Sequence, residues 1–145
     1  MAIEGGCRCG QVRYELALAG PPQVYDCHCQ ACQRWTGTAF SEQCVVAFSA
    51  LAVRGDLATF AYDTPSGSLS THHVCSACHA RVFNRNTRLP EFAIMRAGTL
   101  DMGPQLTPKL HIWTSRKQPW VVLPSGVEAY PENAPQDAFA HLLIP

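Results

Sequence analysis

Apolar and polar residues alternate along this chain in short runs, and Gly, Pro, Ser, Asn or Asp closes most runs within a few residues. Alternation with a period of two puts one side of an extended segment against a core and the other towards water. Runs of this kind predict strands at Gln11–Leu16, Gln23–Asp26, Phe40–Ala47, Leu57–Ala61, Ser68–Val74, Arg81–Asn84, Phe92–Ala97, Lys109–Trp113 and Val121–Leu123. Helix is scarce. Gln30–Trp35 reads as one short turn, and Pro135–Leu143 reads as a terminal helix with Asn133 or Ala134 near its cap and Pro135 in its first turn. Asp63–Ser68 and Asp101–Thr107 read as loops from their Pro, Gly and Ser content. The expected fold class is mainly β, a β-sheet domain with little helix.

Composition narrows the function classes. With 145 residues, the chain is expected to form one domain, 1–145, with a core of its own. Eleven basic and eleven acidic residues cancel, so nothing calls for nucleic acid or an anionic membrane. The first residues, Met1-Ala2-Ile3-Glu4-Gly5-Gly6, lack the basic and apolar regions of a signal peptide. No apolar run approaches the ~18 residues of a membrane span. A reducing, cytoplasmic location is the expectation, and the oligomeric state is left open.

Cysteine changes the picture most. Seven of the eight fall into tight clusters: Cys7-x-Cys9, Cys27-x-Cys29-x-x-Cys32 and Cys75-x-x-Cys78. Thiolates one or two residues apart can chelate one ion, whereas a disulfide between such neighbours is usually strained. Alternation lets Cys7 and Cys9 point one way with Arg8 turned away, and likewise Cys27 and Cys29 with His28 turned away. Two assignments follow. In the first, Cys7, Cys9, Cys75 and Cys78 share a structural zinc, and Cys27, Cys29 and Cys32 hold a second zinc with an open position. In the second, the triple takes Cys7 or Cys44 as a fourth ligand. The first is preferred because two pairs complete a tetrahedron without remainder. Three thiolates make zinc a weak Lewis acid, better suited to holding another thiolate than to acidifying water. That points to a sulfur substrate.

At this point the residues resemble a known family. Gly5-Gly6-Cys7-Arg8-Cys9-Gly10-Gln11-Val12-Arg13-Tyr14 is similar to the opening of the glutathione-dependent formaldehyde-activating enzyme family, also called the centromere protein V family. Cys27-His28-Cys29-Gln30-Ala31-Cys32-Gln33-Arg34-Trp35-Thr36-Gly37 resembles its second motif and Cys75-Ser76-Ala77-Cys78 its third. Ala97-Gly98-Thr99-Leu100-Asp101 and His111-Ile112-Trp113 resemble its later segments. The resemblance runs in order from about residue 5 to about residue 130. It implies an Mss4-like β-sheet fold, a structural zinc on Cys7, Cys9, Cys75 and Cys78, and a catalytic zinc on Cys27, Cys29 and Cys32. It implies a carbon–sulfur lyase in which formaldehyde adds to the thiol of glutathione, giving S-hydroxymethylglutathione.

The chain departs from the family pattern in three places. His79 follows the last knuckle cysteine where Gly is usual, and Gly tolerates a positive φ there more readily. Thr71-His72-His73-Val74 precede the knuckle in place of an arginine and an aromatic residue. Gln33-Arg34 stand for an arginine pair. These changes bear on thiol recognition rather than on the sulfur ligands.

Around the cysteines, Arg34 is the candidate anchor for a glutathione carboxylate, and Thr36 and Gly37 offer a hydroxyl and a close backbone approach. His79 reads as a turn residue, with a hydrogen-bond donor to a metal-bound sulfur, an acid–base group or a metal ligand as the sharper readings. If their segment is a strand, His72 and His73 lie on opposite faces, so at most one faces a site. His28 is expected to make a local hydrogen bond, and His111 to be a core histidine or a pocket wall. Cys44 reads as a buried, inert thiol, or less plainly as a reactive one near the triple. Trp35, Trp113 and Trp120 are too scattered for a nucleic-acid stacking platform. Beside the enzyme stand two other readings: a non-catalytic zinc module that binds a protein, and a thiol–zinc redox sensor.

Overall fold

The computed structural model of the chain describes residues 2–142. Eleven strands and two short helices occupy them. β1 is Ala2–Gly6, β2 Arg13–Ala17, β3 Tyr25–Cys27, β4 Ser41–Ala47, β5 Leu51–Arg54 and β6 Leu57–Asp63. β7 is Leu69–Cys75, β8 Arg81–Asn86, β9 Phe92–Arg96, β10 Leu110–Ile112 and β11 Glu128–Ala129. α1 is Gln30–Thr36 and α2 Gln136–Ala140. No helix among the described residues is long and apolar enough to cross a membrane. The expectation of a mainly β domain with little helix holds.

The strands form two sheets. β1-β2-β5 make a small antiparallel sheet, and the larger sheet has the order β11-β10-β3-β4-β9-β8-β7-β6. The larger sheet is antiparallel except where β10 runs parallel to β3 and to β11. The small sheet packs on one face of the large one. Ile3, Tyr14 and Leu16 from it are buried in one core with Cys44, Val46, Phe83, Ala93 and Met95. Along β2 the polar residues Arg13 and Glu15 alternate outward, and Arg13 pairs with Asp101 at 2.5 Å.

The opposite face of the large sheet is chemically different. Registers Cys27↔Ser41, Tyr25↔Gln43 and Gln43↔Arg96 line up side chains of β3, β4 and β9. His72↔Asn84, Phe60↔His72 and Tyr62↔Ser70 continue the row. Because side chains alternate, these residues share the face that looks away from Cys44 and Met95. Tyr25, Cys27, Cys32, Leu110 and Ile112 form a second apolar cluster, with Phe139 of α2 packed against it.

Several expected boundaries moved for physical reasons. The strand expected at Gln11–Leu16 begins at Arg13, because Cys7 to Val12 turn back on themselves with Gly10 at φ 81° and Cys7 N donating to Val12 O at 3.0 Å. β1 was missed because Glu4-Gly5-Gly6 offers no apolar alternation. Gly5 is there for close approach: a methyl at its Cβ would overlap the Tyr14 hydroxyl. Val121–Leu123 is not a strand. Its Val122 is 88 % exposed, and the neighbour of β10 is Glu128–Ala129 instead. The terminal helix is Gln136–Ala140, capped by Pro135 rather than by Asn133 or Ala134, and Leu143 lies outside the described residues.

Candidate metal centres and the adjoining cleft

Four sulfurs from two distant segments meet first. Cys7 and Cys9 sit in the turn after β1, while Cys75 ends β7 and Cys78 lies in the turn that follows it. All four Sγ atoms lie within 4.8 Å of one another. Zn–S bonds of about 2.3 Å in a tetrahedron place sulfurs about 3.8 Å apart. Cys7 and Cys9 are at 3.5 Å and Cys9 and Cys75 at 3.8 Å, so the set fits such an ion. Backbone N–H groups already point at the sulfurs, from Val12 to Cys7 at 3.2 Å and from Cys78 to Cys75 at 3.5 Å. The Ala80 and Cys9 backbone N–H groups pull the Cys78 thiol down to about 6. The knuckle closes through His79, which takes φ 60° and donates its N–H to Cys75 O at 2.9 Å. The left-handed turn that Gly would ease is thus made by a histidine.

The second cluster stands on the polar face. Cys27 ends β3, Cys29 caps α1 and Cys32 lies in its first turn, so strand and helix aim three sulfurs at one point within 4.8 Å. Among the described residues no fourth Cys, His, Asp or Glu joins them. Cys7 belongs to the other cluster, and Cys44 is fully buried on the opposite face, its thiol pushed up to about 12 by burial. The fourth-ligand alternative for those two residues is therefore not what the fold builds. Within the triple, hydrogen bonds from Cys27 and then Cys32 hold Cys29 far below the usual thiol range. The same contact with Cys29 pushes Cys27 up. Cys32 N donates to Cys29 Sγ at 3.3 Å and Gln43 Nε2 to Cys32 Sγ at 3.5 Å. Gln33 Nε2 ties the helix start to His28 O at 2.8 Å and Arg116 O at 2.9 Å.

A cleft of about 400 Å³ adjoins this cluster, lined by Trp35 and Thr36 of α1, Ser41, Glu42, His79, Arg81 and Arg96. Arg96 is 8 % exposed, and both guanidiniums feel the Cys32 sulfur. Aromatic rings floor the same region: Trp35 lies 4.6 Å from the His72 ring and 4.9 Å from Tyr62, and Phe60 stacks on His72 at 4.8 Å. The expected substrate residues divide between two clefts. Thr36 borders this one, its hydroxyl donating to Cys32 O at 2.8 Å. Arg34 and Gly37 line another, of about 450 Å³, beside Gln118 and Trp120. Gly37 has φ 66° because it ends α1 in the left-handed conformation.

The histidines sort by face. His72 faces the cleft side, and His73 stacks on Phe83 at 4.2 Å. His28 and His111 are buried, with His28 Nε2 and His111 Nδ1 at 3.1 Å and His111 Nδ1 and Asp26 Oδ2 at 3.5 Å. Sequence reading missed Asp26 as part of this cluster. Its only signal was proximity to the Cys27 motif, and the parallel Asp26↔His111 register cannot be read from spacing. Burial raises Asp26 to about 7 and lowers His28 to about 4, so both are pushed towards their neutral forms. Arg81 and Arg96 were missed as well. They lie outside the cysteine motifs, and only the sheet register brings them there.

Comparison with known proteins identifies the family. Residues 2–116 match the family described as "Glutathione-dependent formaldehyde-activating enzyme". A Halomonas elongata protein named "Putative glutathione-dependent formaldehyde-activating enzyme" is 25 % identical over 152 residues, covering 98 % of this chain and 97 % of its own. A crystal structure of a Rhodobacter sphaeroides protein shares the fold, with TM-score 0.55 and 20 % identity, over 88 % of this chain and 98 % of that one. The chain belongs to the glutathione-dependent formaldehyde-activating enzyme family.

Proposed function

We propose that the chain adds a small aldehyde, formaldehyde first among them, to the thiol of glutathione or a related thiol. Family membership makes it an enzyme of carbon–sulfur lyase type. The observation that carries the site assignment is the Cys27–Cys29–Cys32 cluster, three converging sulfurs with no fourth protein donor among the described residues, beside a cleft. A site with three protein ligands keeps a place for substrate, and one with four does not. In this reading Cys7, Cys9, Cys75 and Cys78 hold a structural zinc, and Cys27, Cys29 and Cys32 hold a catalytic one. Soft thiolate sets favour zinc over hard cations. When bound, that zinc would hold a substrate sulfur as thiolate.

The residues of the chain do the rest. Cys27, Cys29 and Cys32 supply the three converging sulfurs. Gln43 and the N–H of Cys32 keep two sulfurs oriented, and Gln33 pins the helix that carries Cys32. The step itself is simple: the sulfur lone pair forms a C–S bond to the carbonyl carbon, the C=O π pair moves to oxygen, and that oxygen takes a proton. Addition is feasible without a catalyst, so positioning and thiolate stabilisation are what the protein contributes. Thr36, next to Cys32 and the cleft, is the substrate-side residue of the expected trio that this reading keeps nearest the sulfurs. Arg34 and Gly37 would contact an outlying part of the thiol, along the second cleft.

The reading treats residues 1–145 as one domain of Mss4-like class, supported by both clusters being attached to one eight-stranded sheet. Eight free cysteines suit a reducing, cytoplasmic compartment. The test is catalysed exchange between glutathione and formaldehyde, followed by two-dimensional exchange NMR. Wild type should exceed the uncatalysed rate and Cys29→Ser should fall back to it with the fold retained. A Cys29→Ser protein as fast as wild type would defeat the assignment.

A further inference from the structure

Two arginines at the cleft are held in an unusual way. Arg81 donates from Nη2 to His72 Nδ1 at 3.1 Å, and Arg96 donates from Nη2 to Asn84 Oδ1 at 2.5 Å. A guanidinium only donates, so His72 Nδ1 accepts and the imidazole proton sits on Nε2. That N–H then points at Ser70 Oγ, 3.3 Å away, which also accepts from Asn84 Nδ2 at 3.2 Å. The two cations are therefore joined through His72, Ser70 and Asn84, a chain of neutral groups across β7, β8 and β9. Arg81 also lies over the Trp35 ring, 4.6 Å from its centroid. No carboxylate among the described residues comes within salt-bridge distance of either guanidinium.

This arrangement is costly unless something answers it. Buried charges without a partner are strongly destabilising, and buried N–H groups are almost always bonded. Here Arg81 Nε and Nη1 and Arg96 Nε have no acceptor. Burial, and then the neighbouring Arg96, lower Arg81 to about 10. A sulfur is a poor acceptor for such donors, while a carboxylate offers two oxygens to a guanidinium fork. The cleft they line also borders α1, which carries Cys32, and Arg96 pairs in register with Gln43, the residue bonded to Cys32 Sγ.

We propose that Arg81 and Arg96 form the seat for a carboxylate of the thiol substrate, in the cleft beside Cys27, Cys29 and Cys32. This rests on the thiol-substrate reading of that cluster. It moves the anchoring role from Arg34, at the other cleft, to two residues outside the cysteine motifs. The neutral His72–Ser70–Asn84 chain orients both forks without neutralising them, which leaves their charge for the ligand. The cluster then prefers thiols that carry a carboxylate over neutral thiols of the same length.

The test is calorimetric binding to the full chain as purified with its metal. The probes are S-methylglutathione, which has no free thiol, and its dimethyl ester, which has no carboxylate. Wild type should bind the acid at least about tenfold more tightly than the ester, the scale of one charged hydrogen-bonded contact. Arg81→Gln should remove that preference by weakening the acid alone, and Arg81→Lys should restore part of it. Circular dichroism and metal content establish that each variant is folded and loaded. Equal binding of acid and ester by wild type would overturn the proposal. So would Arg81→Gln protein that loses metal but keeps its affinity for S-methylglutathione, since the guanidiniums would then serve the sulfurs. Because neither probe can react, an Arg81-dependent preference without any turnover would uphold the seat while refuting the aldehyde-addition reading.

Discussion

His72 illustrates how one residue's surroundings set its chemistry. Burial first, and the Arg81 charge next, lower its pKa to about 3 from an ordinary 6.5. Between those values the unfolded chain binds a proton that the folded chain refuses, so stability rises with pH across that window. The contribution is complete above pH 6.5 and is lost as pH falls towards 3. His72→Gln keeps an acceptor for Arg81 and removes the titration. Urea melts at about pH 7.5 and about pH 5 should show the variant losing less stability on acidification than wild type, by at most ~1.4 kcal/mol per pH unit. An equal loss in both proteins would mean that His72 is protonated in the fold. Metal release by acid affects both alike and leaves the difference intact.

At the scale of elements, the knuckle after β7 carries strain that the sequence disclosed. His79 stands where Gly is usual in the family, and it takes φ 60°. A side chain in the left-handed region costs ~1–2 kcal/mol, and Gly gives back part of that through its unfolded-state freedom. His79→Gly should therefore stabilise the folded protein by roughly 0.5–1 kcal/mol in urea titration. A lower midpoint would mean that the imidazole contributes contacts exceeding the strain. Short segments bounded by Gly, Pro or Ser turns, such as Ser41–Ala47 and Leu69–Cys75, were legible to within a residue at each end. β1, β5 and β11 were not. Gly5-Gly6 pairs by backbone alone, and Glu128–Ala129 is a two-residue edge that pairs in parallel with β10. Val121–Leu123 misled because an apolar run without a sheet neighbour remains a loop.

At the scale of the whole molecule, the large sheet separates two chemistries. One face carries the packed core with Cys44 and the small sheet; the other carries the sulfur triple, the aromatic row and the arginines. The cysteine grouping was readable because chelation works through short spacing, one or two residues apart. The arginine cleft and the Asp26–His28–His111 trio were not, because both depend on strand order, and a parallel β3–β10 pairing leaves no local trace. Four-sulfur closure joins the turn after β1 to the knuckle that ends β7, with Cys9 and Cys75 66 residues apart, and closing so long a loop favours the folded state.

The central claim is that one sulfur cluster is closed by the protein and the other is open to a thiol. Zinc per chain, measured by atomic emission on wild type and Cys29→Ser purified without chelator, with X-ray absorption at the zinc edge before and after adding glutathione, tests it most directly. The account predicts two zincs in wild type and one in Cys29→Ser, with glutathione adding a sulfur to the average zinc shell of wild type only. Two zincs in both proteins, with spectra that glutathione leaves unchanged, would contradict it.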